Sequence, residues 1–307
     1  MPVLGGDRKS LWIVMGIFLI LSLLIVTATE IAALPAVVIF PAMYCFYADR
    51  VQLRWPMLIA CAPLVLALVP AFSLGATVYA VILVSAGMMH FFLKRGSIGL
   101  SVAAPSLLIF IIIAASILSF SQSNGLQVGE VLNRWAADVT IQMGKVSQNA
   151  LSSSELSEFR EKIPVFQERI VELFPSIILT SVAVIMWLNL LIIKWRYRAM
   201  AVREWKCPDW VIAFFILAAV LTIVPQKYLQ TIGLNLLIIV GQVYLFQGLA
   251  IVSVFMDERK WPSVLRWPIY ILILIQIYII VIVAGFGLFD TWFDFRKRIR
   301  TPKGDIQ

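Results

Sequence analysis

A series of apolar blocks, each about the length of a membrane-crossing helix, covers most of this chain and constrains its fold more than any other feature. A transmembrane helix needs about 20 mostly apolar residues, with a lower limit near 17, to cross about 30 Å of hydrocarbon. About nine such blocks lie at residues 11–28, 31–48, 56–73, 76–93, 99–120, 175–193, 210–224, 231–255 and 265–289. The sequence therefore predicts an all-α, polytopic transmembrane helical bundle of about eight or nine spans.

The composition agrees with a chain whose solvent is lipid. Hydrophobic residues make up 61% of the chain and charged residues 14%, whereas about a quarter of the residues in a soluble domain are charged. The formal net charge of +8 comes from Lys and Arg near the block ends, where they orient a membrane protein, so it does not indicate nucleic-acid binding.

Counting these basic residues predicts a cytoplasmic N-terminus. With nine spans, however, the basic segment 296–303 would lie on the opposite side of the membrane. One block, such as the short block 210–224, is therefore a candidate for a re-entrant segment, which protein can accommodate when it buries the irregular backbone. The choice between eight and nine spans stays open.

One polar stretch interrupts the apolar blocks and divides the chain into three predicted parts. Apolar residues recur through this stretch at helical spacing, which predicts two amphipathic helices joined as a hairpin. Charge counting places the hairpin on the extracytoplasmic side, as a passive cap or as a moving lid. The predicted parts are a five-helix bundle at 1–120, the hairpin at 121–174, and a four-helix membrane segment with a basic tail at 175–307.

Strongly polar side chains at membrane depth are costly, which makes the few amides in the apolar blocks candidate functional groups. Asn235 and Gln242 share one helical face, and Gln247 follows beside a glycine that permits close approach of another helix. Asn189 is a fourth amide of this kind. Such amides can bind a small polar solute, or they can join helices by hydrogen bonds worth about 0.6–2 kcal/mol. Both interpretations stay open.

Several classes of function lack their characteristic residues in this sequence. There is no Gly-rich phosphate loop, so the chain is not expected to energise transport with ATP by itself. One histidine and three cysteines do not form the clusters typical of metal sites. Because no nucleophile with a base and no paired carboxylates stand out either, we expect no enzymatic activity, no metal and no cofactor.

Several short motifs occur together in the second half of the chain. They are Arg-Glu-Trp at 203–205 ahead of Pro208, Asn-Leu-Leu at 235–237, Gln-Gly-Leu-Ala at 247–250, Gly-Leu-Phe-Asp at 287–290 and Phe-Asp-Phe-Arg-Lys at 293–297. With the polar helical insert, this set resembles the YybS-like family of uncharacterised bacterial membrane proteins. The resemblance implies a location in the bacterial cytoplasmic membrane and a set of family positions at its cytoplasmic interface, namely Arg203, Pro208, Gly287, Asp290, Asp294 and Arg296.

That family is in turn distantly similar to the substrate-binding S-components of energy-coupling-factor transporters. S-components are compact bundles that bind a vitamin or a metal and borrow a separate transmembrane subunit and two ATPases. The resemblance therefore implies a small-solute-binding transport component, whose partners are the lipid bilayer and separate coupling and ATPase subunits. The alternative hypothesis is a membrane scaffold, in which the hairpin or the basic loops recruit envelope or division proteins.

Overall fold

In a computed structural model of the protein, every described secondary-structure element is helical, which confirms the predicted all-α class for these residues. The structure describes residues 8–27, 30–50, 61–147, 153–196 and 202–300. The first six α-helices are α1 (Arg8–Thr27), α2 (Glu30–Arg50), α3 (Ser73–Lys94), α4 (Ile98–Ser123), α5 (Val128–Ser147) and α6 (Ser153–Glu172). The next six are α7 (Phe174–Arg196), α8 (Val211–Ile223), α9 (Lys227–Glu258), α10 (Ser263–Ile275), α11 (Ile277–Phe293) and α12 (Phe295–Arg300). Short 3₁₀ helices lie at Ala62–Leu68, Pro70–Phe72 and Val202–Glu204.

The chain forms two compact units, and α4 and α7 contribute residues to both of them. Unit 1 comprises Met1–Ile111 and Ser181–Met200, and unit 2 comprises Ile112–Thr180 and Ala201–Gln307. The three parts predicted from the sequence are defined by composition, whereas the two units are defined by contacts between residues. The two divisions of the chain are therefore not equivalent, and the three parts stay a prediction.

Aromatic packing forms the core of unit 1, where α1, α2 and α3 meet. The rings of Phe18 and Tyr47 stack with their centroids 4.4 Å apart, and Phe40 meets Tyr79 edge-on at 5.4 Å. All four side chains are buried, and the Tyr79 hydroxyl donates a hydrogen bond to Ser22 Oγ at 3.2 Å. Because lipid is as apolar as a protein core, shape-specific contacts of this kind, rather than hydrophobicity alone, hold membrane helices together.

Unit 2 is organised around α9, against which α8 and α11 pack. Glycines permit the close approach of these helices. A side chain at Gly248 would overlap the backbone of Val283, one at Gly287 would overlap the backbone of Tyr244, and Gly233 allows a similar approach to α8. Small residues at the contact points of membrane helices bring the backbones together and increase van der Waals contact.

The polar insert forms the two helices predicted from its apolar spacing, α5 and α6, and they contact each other. Gln167 Nε2 donates to Thr140 Oγ1 at 2.9 Å between the two helices. Trp135 of α5 meets Phe174, the first residue of α7, edge-on at 5.1 Å. The two helices are thus joined to each other, and α5 also contacts the start of α7. The side of the membrane on which it lies stays a prediction.

The expectation of eight or nine spans is not confirmed by the described residues. Four helical segments there are long and apolar enough to cross a membrane, and a fifth span results if the bent pair formed by α10 and α11 is counted as one. The four segments are Pro70–Lys94, Ile98–Ser123, Phe174–Lys194 and Lys227–Glu258. Shorter apolar helices lie at Met15–Thr27, Leu34–Asp49 and Val211–Ile223.

Three of the predicted spans take other forms. Block 265–289 is not one straight helix, because the chain bends by 103° where Gln276 adopts an extended backbone between α10 and α11. Block 210–224 forms α8, whose 13 residues reach only about 20 Å at 1.5 Å per residue. Of block 56–73, residues 56–60 lie outside the described residues, and most of the remainder is 3₁₀ helix. A hydropathy average over about 20 residues does not register the conformation of a single residue.

Candidate functional site

The polar side chains predicted to bind a ligand lie mainly along α9, but the structure places them in three separate environments. Asn235 and Gln242 face the segment where α6 is followed by α7, and Gln242 Nε2 donates to the carbonyl of Thr180 at 2.8 Å. Gln247 instead faces the loop before α8 and the end of α11. Asn189, on α7, belongs to unit 1.

Asn235 is engaged with the backbone around the α6–α7 junction. Its Oδ1 accepts the N–H of Ser176 at 2.9 Å. Its Nδ2 donates to the carbonyls of Glu172 and Thr231, both at 2.8 Å. An amide nitrogen has two hydrogens, so both of its donors are used. Binding a solute through Asn235 would require these bonds to open, and that role stays a prediction.

Asn189 makes the same set of bonds within unit 1. Its Oδ1 accepts the N–H of Ala42 at 2.8 Å, and its Nδ2 donates to the carbonyls of Val38 at 2.7 Å and Ile185 at 2.8 Å. The side chain is completely buried. The amide therefore satisfies backbone groups of α2 from a neighbouring helix, and its predicted role in ligand binding is likewise untested.

An exposed ion pair joins α6 to the first residue of α9. Lys227 Nζ lies 2.7 Å from Glu168 Oε1 and 3.2 Å from Glu172 Oε1. The hydrogen bond from the Lys227 ammonium lowers the pKa of Glu168 from its ordinary value. Because the pair is exposed to solvent, we expect it to orient α6 rather than to add much stability.

Gln247 and Asp290 form the centre of a buried polar network in unit 2. Gln247 Oε1 accepts the N–H of Cys207 at 2.9 Å, and its Nε2 donates to Asp290 Oδ2 at 3.1 Å. Asp290 Oδ1 accepts the N–H of Phe295, the first residue of α12, at 2.8 Å. Both Gln247 and Asp290 have no exposed surface. The loop before α8 and the start of α12 are thus held by the same pair of side chains.

Arg296 supplies the positive charge of this network. Its Nη2 lies 3.4 Å from Asp290 Oδ2, and only 9% of its side chain is exposed. Its Nη1 donates to the carbonyls of Arg203 at 3.1 Å and Trp205 at 2.7 Å. A guanidinium carries five N–H donors in a fixed plane, so one side chain can join a carboxylate to two backbone carbonyls.

A second acidic residue, Asp257 near the end of α9, joins two more arginines. One carboxylate oxygen pairs with Arg203 and the other with Arg266. Arg266 also donates to the carbonyl of Trp261 through Nε at 3.1 Å and Nη2 at 2.9 Å. Sequence reasoning did not select Asp257 and Arg266, because charges at the end of an apolar block are expected for membrane anchoring alone.

The motif residues selected from the sequence are brought together only in part. Those in or against the network are Arg203, Gly287, Asp290 and Arg296. Asp294 lies at its edge, in the left-handed region with φ 45°, and its carboxylate is 3.9 Å from Lys206 Nζ. Pro208 is exposed, and its carbonyl accepts the N–H of Val211, the first residue of α8. In the parts of the chain that the structure describes, no three His, Cys, Asp or Glu side chains are grouped to hold a metal.

Cys207 is expected to be nearly inert toward alkylation in the folded protein. Its burial, with a smaller contribution from Asp209, raises the pKa of the thiol to about 12. Because the thiolate is the nucleophile, N-ethylmaleimide at pH 8 should modify Cys207 roughly a thousandfold more slowly than an ordinary thiol. Peptide mass spectrometry after timed labelling measures this rate, with exposed Cys61 and detergent-unfolded protein as references. Equal rates for Cys207 in folded and unfolded protein would contradict the prediction.

Comparison with known proteins gives one match that covers almost the whole chain. The family model described as "Predicted membrane protein (DUF2232)" matches residues 13–291. No curated protein and no solved structure matches. The similarity to transport S-components is therefore not shown and stays a prediction. Because the match extends from α1 into α11, the chain belongs to this family of membrane proteins, and the YybS-like resemblance of its motifs is confirmed.

Proposed function

We propose that the protein is a solute-binding component of a membrane transport system and that separate coupling and ATPase subunits energise it. The observation that carries the proposal is the buried pair of Asp290 and Arg296, held against Gln247. Gln247 is the 21st of the 32 residues of α9, a helix long enough to cross the membrane. Asp290 lies near the end of α11 and Arg296 in α12, and both side chains are buried. Charged side chains buried within a membrane bundle are costly and are typical of solute and ion pathways.

Irregular backbone next to this pair gives further support. The segment between Trp205 and Trp210 is not helical, and its Cys207 N–H and Trp205 carbonyl are bound by side chains of the network. Transporters commonly form their solute sites where interrupted helices leave backbone groups at membrane depth. A small polar solute would exchange with the side chains that now satisfy these groups.

The proposed location is the bacterial cytoplasmic membrane, with the hairpin of α5 and α6 on its outer face. The basic residues support this orientation, because those of the loop before α8 and of α12 belong to the end of unit 2 that the positive-inside rule places in the cytoplasm. In that orientation, the network of Asp290 and Arg296 faces the side from which ATPase subunits act.

Native mass spectrometry of tagged protein, gently extracted from its own membranes, tests the proposal. We expect a retained mass in the range of small metabolites, together with coupling and ATPase subunits. Arg296→Lys should lose the small molecule, because an ammonium keeps the charge but not the planar arrangement of donors. Lys206→Ala, which removes only an exposed partner of Asp294, should retain it. Protein that carries envelope or division proteins and no small molecule would favour the scaffold instead.

A further inference from the structure

Several prolines lie within the described helices, and two of the prolines in this protein, Pro41 and Pro175, are each faced by an asparagine from another helix. Pro41 lies inside α2, and Pro175 is the second residue of α7, three residues after the last residue of α6. Proline has no N–H, and its ring collides with the carbonyl four residues earlier. The helix opens around the proline. The next rung of the hydrogen-bond ladder, in which the N–H of the residue after the proline bonds to the carbonyl four residues before that residue, is commonly lost as well.

The two asparagines bond to the donor and the acceptor of that same rung. At Pro41, the rung would join the N–H of Ala42 to the carbonyl of Val38, and Asn189 bonds to these two groups at 2.8 and 2.7 Å. At Pro175, the rung would join the N–H of Ser176 to the carbonyl of Glu172. Asn235 bonds to these groups at 2.9 and 2.8 Å. In each case one amide binds both the donor and the acceptor of the rung that follows the proline.

The sequence around these residues is repeated as well. Leu-Asn-Leu-Leu-Ile-Ile occurs at 188–193 and again at 234–239, around the two asparagines. Phe-Pro followed by a small residue occurs at 40–42 and at 174–176, around the two prolines. Each asparagine also donates to the carbonyl four residues before it in its own helix, at 2.8 Å. This repeat is the signal by which the pairs could have been found without a structure.

We propose that the pairs Pro41–Asn189 and Pro175–Asn235 are two copies of one helix-joining device, in which the asparagine is required because the proline is present. This role goes beyond the proposed transport function and does not depend on any solute. One copy lies in each unit. In lipid, an N–H and a carbonyl left without partners are costly, and the asparagine amide offers the N–H an acceptor and the carbonyl a donor.

The copy in unit 2 lies at the junction between an amphipathic helix and an apolar helix. Amphipathic α6 leads into apolar α7 there, and ladder hydrogen bonds persist on both sides, from Leu173 N to Arg169 O and from Ile177 N to Leu173 O, both at 2.9 Å. The acceptor for the Ser176 N–H comes instead from α9. Asn235 is therefore a positioning residue that sets the direction in which α6, and with it the hairpin, leaves the spanning helix.

Hydrogen–deuterium exchange in a double-mutant cycle tests the proposal. Asn235→Leu should accelerate exchange at the Ser176 amide at least tenfold, because its acceptor is lost. In a Pro175→Ala background, the helix can form its own rung, so the same substitution should change the rate less than twofold. The corresponding variants Asn189→Leu and Pro41→Ala should behave in the same way at Ala42. Gln242→Leu is the matched control, because the carbonyl of Thr180 that it binds is not adjacent to a proline.

Equal acceleration with and without the proline, at either copy, would overturn the proposal. If Asn235→Leu does not give folded protein, Asn235→Gln keeps both amide groups at a longer reach and should give a smaller acceleration. Pro175→Ala must still cancel that acceleration, and a failure to cancel it counts against the device. The experiment uses no solute and no partner protein, so its outcome is independent of the test of transport.

Discussion

Replacing Asp290 by alanine is expected to lower the free energy of unfolding by about 3–5 kcal/mol, because removal of one partner of a buried ion pair leaves the other charge uncompensated. The Arg296 guanidinium, 9% exposed, would lose its carboxylate. The Phe295 N–H and the Gln247 amide would lose their acceptor at the same time. Each buried donor left without a partner adds about 1–3 kcal/mol, not fully additively.

The effect of Asp290→Ala can be measured as a shift in the unfolding transition of the protein in detergent. Lys206→Ala is the matched control, because it breaks a 3.9 Å pair with Asp294 in which both side chains are exposed, 38% and 53%. Exposed pairs contribute about 0–1 kcal/mol. Asp290→Asn should be intermediate, since it keeps an acceptor for Phe295 but no charge. An Asp290→Ala shift as small as that of Lys206→Ala would mean that water reaches the pair.

Gly248→Ala is expected to destabilise unit 2 by about 1–3 kcal/mol or more, the usual cost of overpacking. An added Cβ would overlap the backbone carbonyl of Val283 on α11, and a backbone atom cannot move aside as the end of a flexible side chain can. Gly287→Ala should have a similar effect, because its Cβ would overlap the carbonyl of Tyr244 on α9. Both substitutions force α9 and α11 apart at their contact.

The same two helices carry matched controls for these substitutions. Neither Gly241 on α9 nor Gly285 on α11 has a neighbouring atom within 4 Å of the position that a Cβ would take. Alanine is the better helix former by about 1 kcal/mol. Thermal unfolding of Gly241→Ala and Gly285→Ala should therefore show unchanged or higher stability. If all four variants unfolded alike, close packing of α9 on α11 would not explain the effect of Gly248→Ala.

The helical class and the position of the amphipathic pair could be predicted because both follow from periodicity along the chain. Apolar stretches in lipid must satisfy their backbone internally, which favours helices, and the apolar spacing of the insert defines α5 and α6. The number of spans could not be predicted in the same way. Gln276 interrupts a continuous apolar stretch by its own backbone conformation, and α8 ends after 13 residues where Val224 adopts an extended backbone.

The candidate site shows the same limit at the level of single residues. In the sequence, Gln247 stands out as a polar group in an apolar block, whereas Asp290 and Arg296 stand out as part of a family motif. The structure joins all three in one network. Asn235 and Asn189 were expected to share a role, and they do make equivalent bonds, but their observed partners are backbone groups. Which group forms the hydrogen bonds of a buried amide depends on residues far away in the sequence.

The sequence by itself determined that this protein is a helical membrane protein of its family, since these properties depend on composition, spacing and short motifs. Only the tertiary structure decided how its few polar groups are satisfied. It brings Asn189 to the Val38 carbonyl 151 residues earlier in the chain, and Arg296 to the Arg203 carbonyl 93 residues before it. In lipid no water can take the place of a missing partner, so each polar group must find its partner in the fold.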